Sequence, residues 1–257
     1  MSICFYVLAS KWVRDYHKNM PDKRTHRGPG PEDAELFAEV KLGALRGAVG
    51  DHSQLLTKGY AEKSVLKLVG DHFSLTRRQR KAVQRCSCSD SQLAGRKEKQ
   101  IPADSISGSN IIIDGYNVLI TVEALLSGAA IFCGRDGCYR DLAGIHGSYR
   151  KITETIPAIE TIAENLQSLG VCHALWLFDS PVSNSGRLKT IIYELIEKNA
   201  WPWDVELLAN PDTELISTDR VIATSDSDVL DKCSRWINLN AYIIGRTTGA
   251  NIVDLSV

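Results

Sequence analysis

The chain reads as an α/β protein with a mainly parallel sheet, preceded by a small all-α domain, and three observations predict it. Short apolar runs stand near turn signals: Ile111-Ile112-Ile113, Ala174 to Phe178, Val205 to Leu208 and Val221 to Ala223. Runs this short and apolar fit strands buried on both faces. Between them the period becomes helical. Ile159, Ile162, Ala163, Leu166 and Leu169 share one face, closed by Gly170, and Leu188, Ile191, Ile192, Leu195 and Ile196 share another. Pro157 sets the start of the first near Ile156 or kinks it there. Third, the pattern from Glu32 to Lys99 is helical and holds no such strand runs.

In chain order, residues 1–32 predict a flexible segment, because Asn19 to Pro31 is rich in proline, glycine and basic residues. Ile3 to Ala9 is apolar but short, and Lys11, Arg14 and Lys18 follow it, so it fits a signal peptide poorly. A basic helical domain is expected over 33–100. Leu36, Phe37, Val40, Ala44, Leu45 and Ala48 recur at threes and fours and predict one apolar face. Ala61 to Val69 sets Val65, Leu66 and Val69 on one side, with Gly70 as a stop. Thr76 caps the next helix, and Ser89 caps another ending near Lys99. Ile101 to Ser109 holds proline, serine and glycine and reads as a linker over 101–109, before an α/β domain over 110–257.

At 257 residues, 44% hydrophobic and 24% charged, the chain has the composition of a soluble globular protein with an ordinary core. No apolar run approaches a membrane span, so no membrane association and a cytoplasmic location are expected. Its seven cysteines (Cys4, Cys86, Cys88, Cys133, Cys138, Cys172, Cys233) contain no C-x-x-C pair and read as reduced thiols. A zinc site of Cys133, Cys138 and His146 rests on spacing alone. The net charge of −1 conceals a split: residues 1–104 carry 19 Lys and Arg against 12 Asp and Glu, and residues 105–257 carry 11 against 19. One half therefore attracts polyanions while the other concentrates carboxylates.

Open α/β sheets bind ligands beyond the carboxyl ends of their strands. Asp114 ends Ile111-Ile112-Ile113, Asp179 ends Ala174 to Phe178, and Asp226 and Asp228 follow Val221 to Ala223. Any one such aspartate is as readily a helix cap, and Ser225 with Asp228 has the spacing of a capping box. If the strands are neighbours, however, four carboxylates meet. Two unit charges about 4 Å apart repel by roughly 4 kcal/mol at an effective dielectric of 20. Either some of these carboxylates are protonated or hard divalent ions such as Mg²⁺ or Mn²⁺ sit among them, and such an ion supports in-line phosphodiester hydrolysis. Neither a P-loop nor a G-x-G-x-x-G motif is present, which argues against nucleotide-type phosphate enzymes.

Ile112-Ile113-Asp114-Gly115-Tyr116-Asn117-Val118 resembles the opening strand and turn of NYN-type members of the PIN-like nuclease superfamily. Ala223 to Leu230, with Ser225-Asp226-Ser227-Asp228, resembles their later acidic strand-to-helix segment, and Leu177 to Ser183 their central strand. The resemblance covers about Ser109 to Val257. The whole chain, including Leu75-Thr76-Arg77-Arg78-Gln79-Arg80, is similar to an uncharacterised, largely archaeal family that pairs a small helical domain with a PIN-like one. This implies a three-layer α/β/α fold and Mg²⁺- or Mn²⁺-dependent endoribonuclease activity. By position, Asp114, Asp179, Asp226 and Asp228 match the acidic, metal-binding positions, and Asn117 matches the motif's asparagine. The family's additional acid falls on Asp136 or Asp141; Asp141 is favoured because Asp136-Gly137 reads as a turn.

The expected partner is RNA, with tRNA or rRNA as candidates and homodimerisation left open. Between Thr76 and Gln100, eight basic residues face only Asp90 and Glu98, and Arg77, Lys81 and Arg85, with Arg78 adjacent, line a helix face that can meet phosphates. Such a run is as often a solvated helix face. Few aromatics interleave it, so backbone contact is expected rather than base stacking. Arg150 and Lys151, near His146 and Tyr149, are further candidates. Ser183 and Ser185, with Arg187, either hold a phosphate at a helix amino end or only start that helix. A non-catalytic RNA-binding protein that retains the fold is the alternative reading.

Overall fold

Ile111, Ile112 and Ile113 are fully buried at the centre of β1 (Asn110–Asp114), as β-branched residues covered on both faces should be. The computed structural model describes residues 26–144 and 147–257. It flanks β1 with β4 (His173–Asp179) and β6 (Val221–Ala223); β5 (Trp203–Leu208) and β7 (Trp236–Ile237) lie outside them. The order is β5-β4-β1-β6-β7, and every pair is parallel.

Alternation along the strands makes two cores. Ile111, Ile113, Trp176, Phe178 and Val205 face α6 (Gly115–Leu126), α7 (Thr155–Ser168), α8 (Ser185–Asn199) and α11 (Leu239–Gly245). Ile112, Leu175, Leu177 and Ile222 face α9 (Pro211–Ser217) and α10 (Ser227–Lys232). The C-terminal part is thus a three-layer α/β/α unit. Pro157 stands in the first turn of α7, where its missing amide is harmless, and Gly170 closes that helix at φ 67°.

Gly115 is required where α6 crosses β4. A Cβ there would stand 2.4 Å from the Phe178 ring and 2.6 Å from the Leu177 carbonyl. Gly115→Ala is expected to lower unfolding stability by about 1–3 kcal/mol through overpacking. Urea titration reads this, and a variant as stable as wild type would contradict the close crossing.

The helical region comprises α1 (Asp33–Leu36), α2 (Glu39–Thr57), α3 (Glu62–His72), α4 (Arg77–Cys86) and α5 (Asp90–Lys99). The expected continuous helix from Glu32 breaks at Phe37-Ala38, and the restart at Glu39 changes the phase. Val40 and Ala44 therefore face solvent, while Phe37, Leu42, Leu45, Ala48 and Val49 are buried. Gly70 does not stop its helix, which runs on to His72. Thr76 and Ser89 both make full capping boxes, with Gln79 and Gln92.

A small sheet of β2 (Ile131–Cys133), β3 (Tyr139–Arg140) and β8 (Ile252–Asp254), in the order β3-β2-β8, closes the helical core, with Phe132, Val253 and Leu255 packed beside Phe37 and Val83. The expected linker at 101–109 is docked: Ile101 N–H donates to the Trp236 carbonyl at 2.8 Å, and Ile106 is buried. Residues 26–32 are held too. Arg27 pairs with the buried Glu123 and lies 5.6 Å over the Tyr149 ring, and His26 Nδ1 is 2.6 Å from Glu154 Oε1. Residues 1–25, with Cys4 and the apolar opening stretch, lie outside the described residues, as does His146. Among the described residues no helix is long and apolar enough to cross a membrane.

Candidate functional site

Parallel register brings the ends of β1, β4 and β6 to one edge. Ile113 is paired with Ala223, so Thr224 follows beside Asp114, and its hydroxyl donates to Asp114 Oδ2 at 2.7 Å. Thr224 Oγ1 also accepts the Asp226 N–H at 3.0 Å. One hydroxyl therefore joins two acidic segments. In the first turn of α6, Asn117 Oδ1 accepts a short hydrogen bond from Ser225 Oγ. The helix cap of α10 is Asp226 rather than Ser225: its Oδ1 accepts from the amides of Asp228 at 2.9 Å and Val229 at 3.2 Å. Asp114, although at a strand-to-helix junction, makes no side-chain cap bond.

Burial pushes the Asp114 carboxyl up to about 7; the Thr224 hydrogen bond opposes this, and the charges of Asp226 and Asp212 add to it. Asp179, partly buried at the end of β4, is raised by the same desolvation. Asp212, in α9, is raised by partial desolvation and then by Asp226, Asp179 and Asp228, with the charge of Lys232 opposing them. Among the described residues none of these five aspartates is in an ion pair. Asp212 is the member that the sequence reading missed. The strand-end rule that found the others would have found it, since it follows β5 across the Asn210-Pro211 turn.

Oxygen-only donors that repel one another suit Mg²⁺ or Mn²⁺. Among the described residues, however, no three His, Cys, Asp or Glu side chains converge as a ligand group. The edge thus fits a largely hydrated hard cation resting on one or two carboxylates, Asp114 and Asp226 foremost, and not a closed cage. Of the cysteine zinc site, His146 lies outside the described residues; Cys133 and Cys138, like the other four described cysteines, are free thiols.

Asp141 is linked to Asn117 through Thr121, whose hydroxyl also donates to the Asn117 carbonyl at 2.9 Å. It is buried beside α6, where its Oδ2 accepts from Thr121 Oγ1 at 3.0 Å, and its charge acts on Lys81. Asp136 sits in the expected turn, with Gly137 at φ 72°, but its carboxylate is buried between Arg96 and Arg140. Much of the expected phosphate-binding stripe is turned inward. Arg78 pairs with the buried Asp33, and Lys81 Nζ donates to the Leu142 carbonyl at 3.0 Å. Arg85 is half-buried, and of the four only Arg77 is exposed. Closer to the acidic edge, the segment after Asp179 meets the loop before α7: Ser183 N–H donates to the Gly147 carbonyl, and Tyr149 N–H to that of Ser183. Ser183, Arg150, Lys151 and Arg187 are exposed there, whereas Ser185 is buried with its hydroxyl on the Ser180 carbonyl at 3.3 Å.

A parallel three-layer sheet whose carboxyl edge gathers aspartates, joined to a helical region, defines the class of protein. The chain belongs to the family described as a domain of unknown function (DUF5616), which matches residues 103–242. A second family, described as a protein of unknown function (DUF434), matches residues 44–99. The chain is also similar to the uncharacterized protein MJ0935 of Methanocaldococcus jannaschii, 32% identical over 187 residues that span 73% of this chain and 89% of that one. No solved structure matches it.

Proposed function

We propose that this protein is a PIN-like, Mg²⁺- or Mn²⁺-dependent endoribonuclease that hydrolyses RNA phosphodiester bonds at the edge formed by Asp114, Asp179, Asp226 and Asp228, with Asp212 as a further acid. The observation that carries this reading is the Thr224 hydroxyl, which joins Asp114 to the Asp226 segment at the carboxyl edge of the sheet, where burial first, and then the charges of Asp226 and Asp212, push the Asp114 carboxyl up to about 7. When bound, a divalent cation supplies charge neutralisation and nucleophile activation for in-line hydrolysis. Asp114 and Asp226 would hold it. Thr224 fixes the Asp114 carboxylate by its hydrogen bond, and Asn117 fixes Ser225. Arg150, Lys151 and Arg187 are exposed and would receive a phosphate backbone.

Incubation of total RNA with the protein and Mn²⁺, with and without EDTA, tests the reading. Cleavage that stops with chelator is expected; chelator-resistant cleavage overturns the metal mechanism. Arg150→Ala with Lys151→Ala is expected to weaken RNA binding about tenfold and to flatten its salt dependence by about two counterions. A filter-binding series across salt concentrations reads both, and an unchanged slope removes these residues from the interface.

A second reading, a non-catalytic RNA-binding protein of the same fold, draws on the lack of a three-ligand group among the described residues. It requires salt-dependent RNA binding with no cleavage and no Mn²⁺ site by calorimetry.

A further inference from the structure

The acidic segment around Asp226 does not hold itself in place. Helix α10 has six residues, too few to be stable alone, and Asp226 bonds only its first turn. Thr224 and Ser225 tie it to Asp114 and Asn117, and Val229 and Leu230 pack into the core beside it; further restraints come from the helical region and β3. Just before Asp226, the Ser225 carbonyl accepts from Arg140 Nε at 2.8 Å. Just after it, the Ser227 carbonyl accepts from an Arg96 terminal nitrogen at 3.3 Å. At the far end, Lys99 Nζ donates to the carbonyls of Leu230 at 2.8 Å and Asp231 at 2.9 Å. The Asp231 carboxylate is gripped by Gln92 Nε2 and Arg96 Nε, each at 2.6 Å. Trp236 Nε1 in turn donates to the Arg96 carbonyl at 2.8 Å.

We propose that Gln92, Arg96 and Lys99 of α5, together with Arg140, are positioning residues that hold Asp226 and Asp228 in register with Asp114. Three of the four come from the basic run between Thr76 and Gln100, beyond the expected stripe on α4, and their donors reach α10. Hydrogen bonds from charged donors are the strong kind, and burying Arg96 and Arg140 around Asp136 and Asp231 contributes little to stability alone. Such buried charge is well suited to fixing one segment against another. The two matched families, meeting between Lys99 and Ala103, would then be halves of one site. That it is a site rests on the nuclease reading above.

Lys99 gives the cleanest test, because it is half-buried and its replacement leaves no buried ion unpaired. In Lys99→Met, amide exchange across residues 226–231 is expected to speed about tenfold, with global urea unfolding nearly unchanged. Mn²⁺ affinity by calorimetry is expected to fall about tenfold, and Lys99→Arg is expected to restore both. Unchanged local exchange overturns the clamp. Faster exchange with Mn²⁺ affinity intact overturns its positioning role, and a loss that tracks global stability does the same. If wild type binds no Mn²⁺, the nuclease reading fails by itself, and the exchange comparison still decides whether α5 holds α10.

Discussion

Asp114→Asn is expected to lower Mn²⁺-dependent RNA cleavage by at least about 10³-fold, equivalent to about 4 kcal/mol of transition-state stabilisation. The same substitution should stabilise the metal-free fold at neutral and alkaline pH. The sign follows from the raised carboxyl. Unfolded, Asp114 releases its proton near pH 4; folded, it keeps that proton to about pH 7. Across that window the folded state binds more protons, so stability falls as pH rises and levels off above about 7. Asparagine keeps the acceptor for Thr224 and removes the charge. Allowing for partial solvent access, Asp114→Asn is expected to gain about 2 kcal/mol at pH 8 and almost nothing at pH 4. Saturating Mn²⁺ should reverse the ranking, raising the midpoint of wild type but not of the variant. Thermal unfolding at both pH values, with and without metal, reads all four conditions. A variant that cleaves at the wild-type rate would remove Asp114 from the site, and one that is less stable at pH 8 would contradict the electrostatics.

Strands β1, β4, β5 and β6 were legible in the sequence, because buried parallel strands advertise themselves by composition and the chain turns sharply at their ends; β2, β3, β7 and β8, of two or three residues each, carry too little pattern to be read. Helix faces were legible only until the phase shifted, as at Phe37-Ala38. What single-sequence spacing could not give was the partner of each charge. Arg78 meets Asp33, 45 residues away, and Arg96 meets Asp136 and Asp231, 40 and 135 residues away. An i, i+4 stripe says which residues share a face, not what that face touches. The same limit applies to Asp141. It is favoured over Asp136 only because Asp136-Gly137 reads as a turn, and the chain sets it against Thr121, with its charge acting on Lys81. Asp226 shows the converse: reading it as a cap and reading it as a site acid are compatible, since one carboxylate oxygen caps α10 and the other is not engaged in that bond.

Asp136→Ala is expected to carry the largest cost to the fold. The Asp136 carboxylate accepts from Arg96 at 2.6 Å and from both terminal nitrogens of Arg140, at 2.9 and 2.7 Å, and all three side chains are 2% exposed. Arg96 retains Asp231 after the substitution, but Arg140 keeps only the Ser225 carbonyl. An uncompensated buried charge costs about 3–5 kcal/mol, a large share of the 5–15 kcal/mol typical of a domain. Burial by itself would raise the Asp136 carboxyl, but the Arg140 and Arg96 guanidiniums and the Cys138 amide outweigh it and hold the group well below the usual carboxylate range. A depressed carboxylate contributes stability above its unfolded value near 4 and loses that contribution as pH falls through the folded value. Wild type should therefore weaken steeply below about pH 4, whereas Asp136→Ala, already weakened at pH 7, should show a shallower acid limb. Urea midpoints at pH 7 and pH 3 measure both effects, and equal stability at pH 7 would mean that the two arginines do not depend on this carboxylate. Because Arg140 also holds the Ser225 carbonyl, any Asp136→Ala protein that remains folded should bind Mn²⁺ more weakly than its global stability alone predicts.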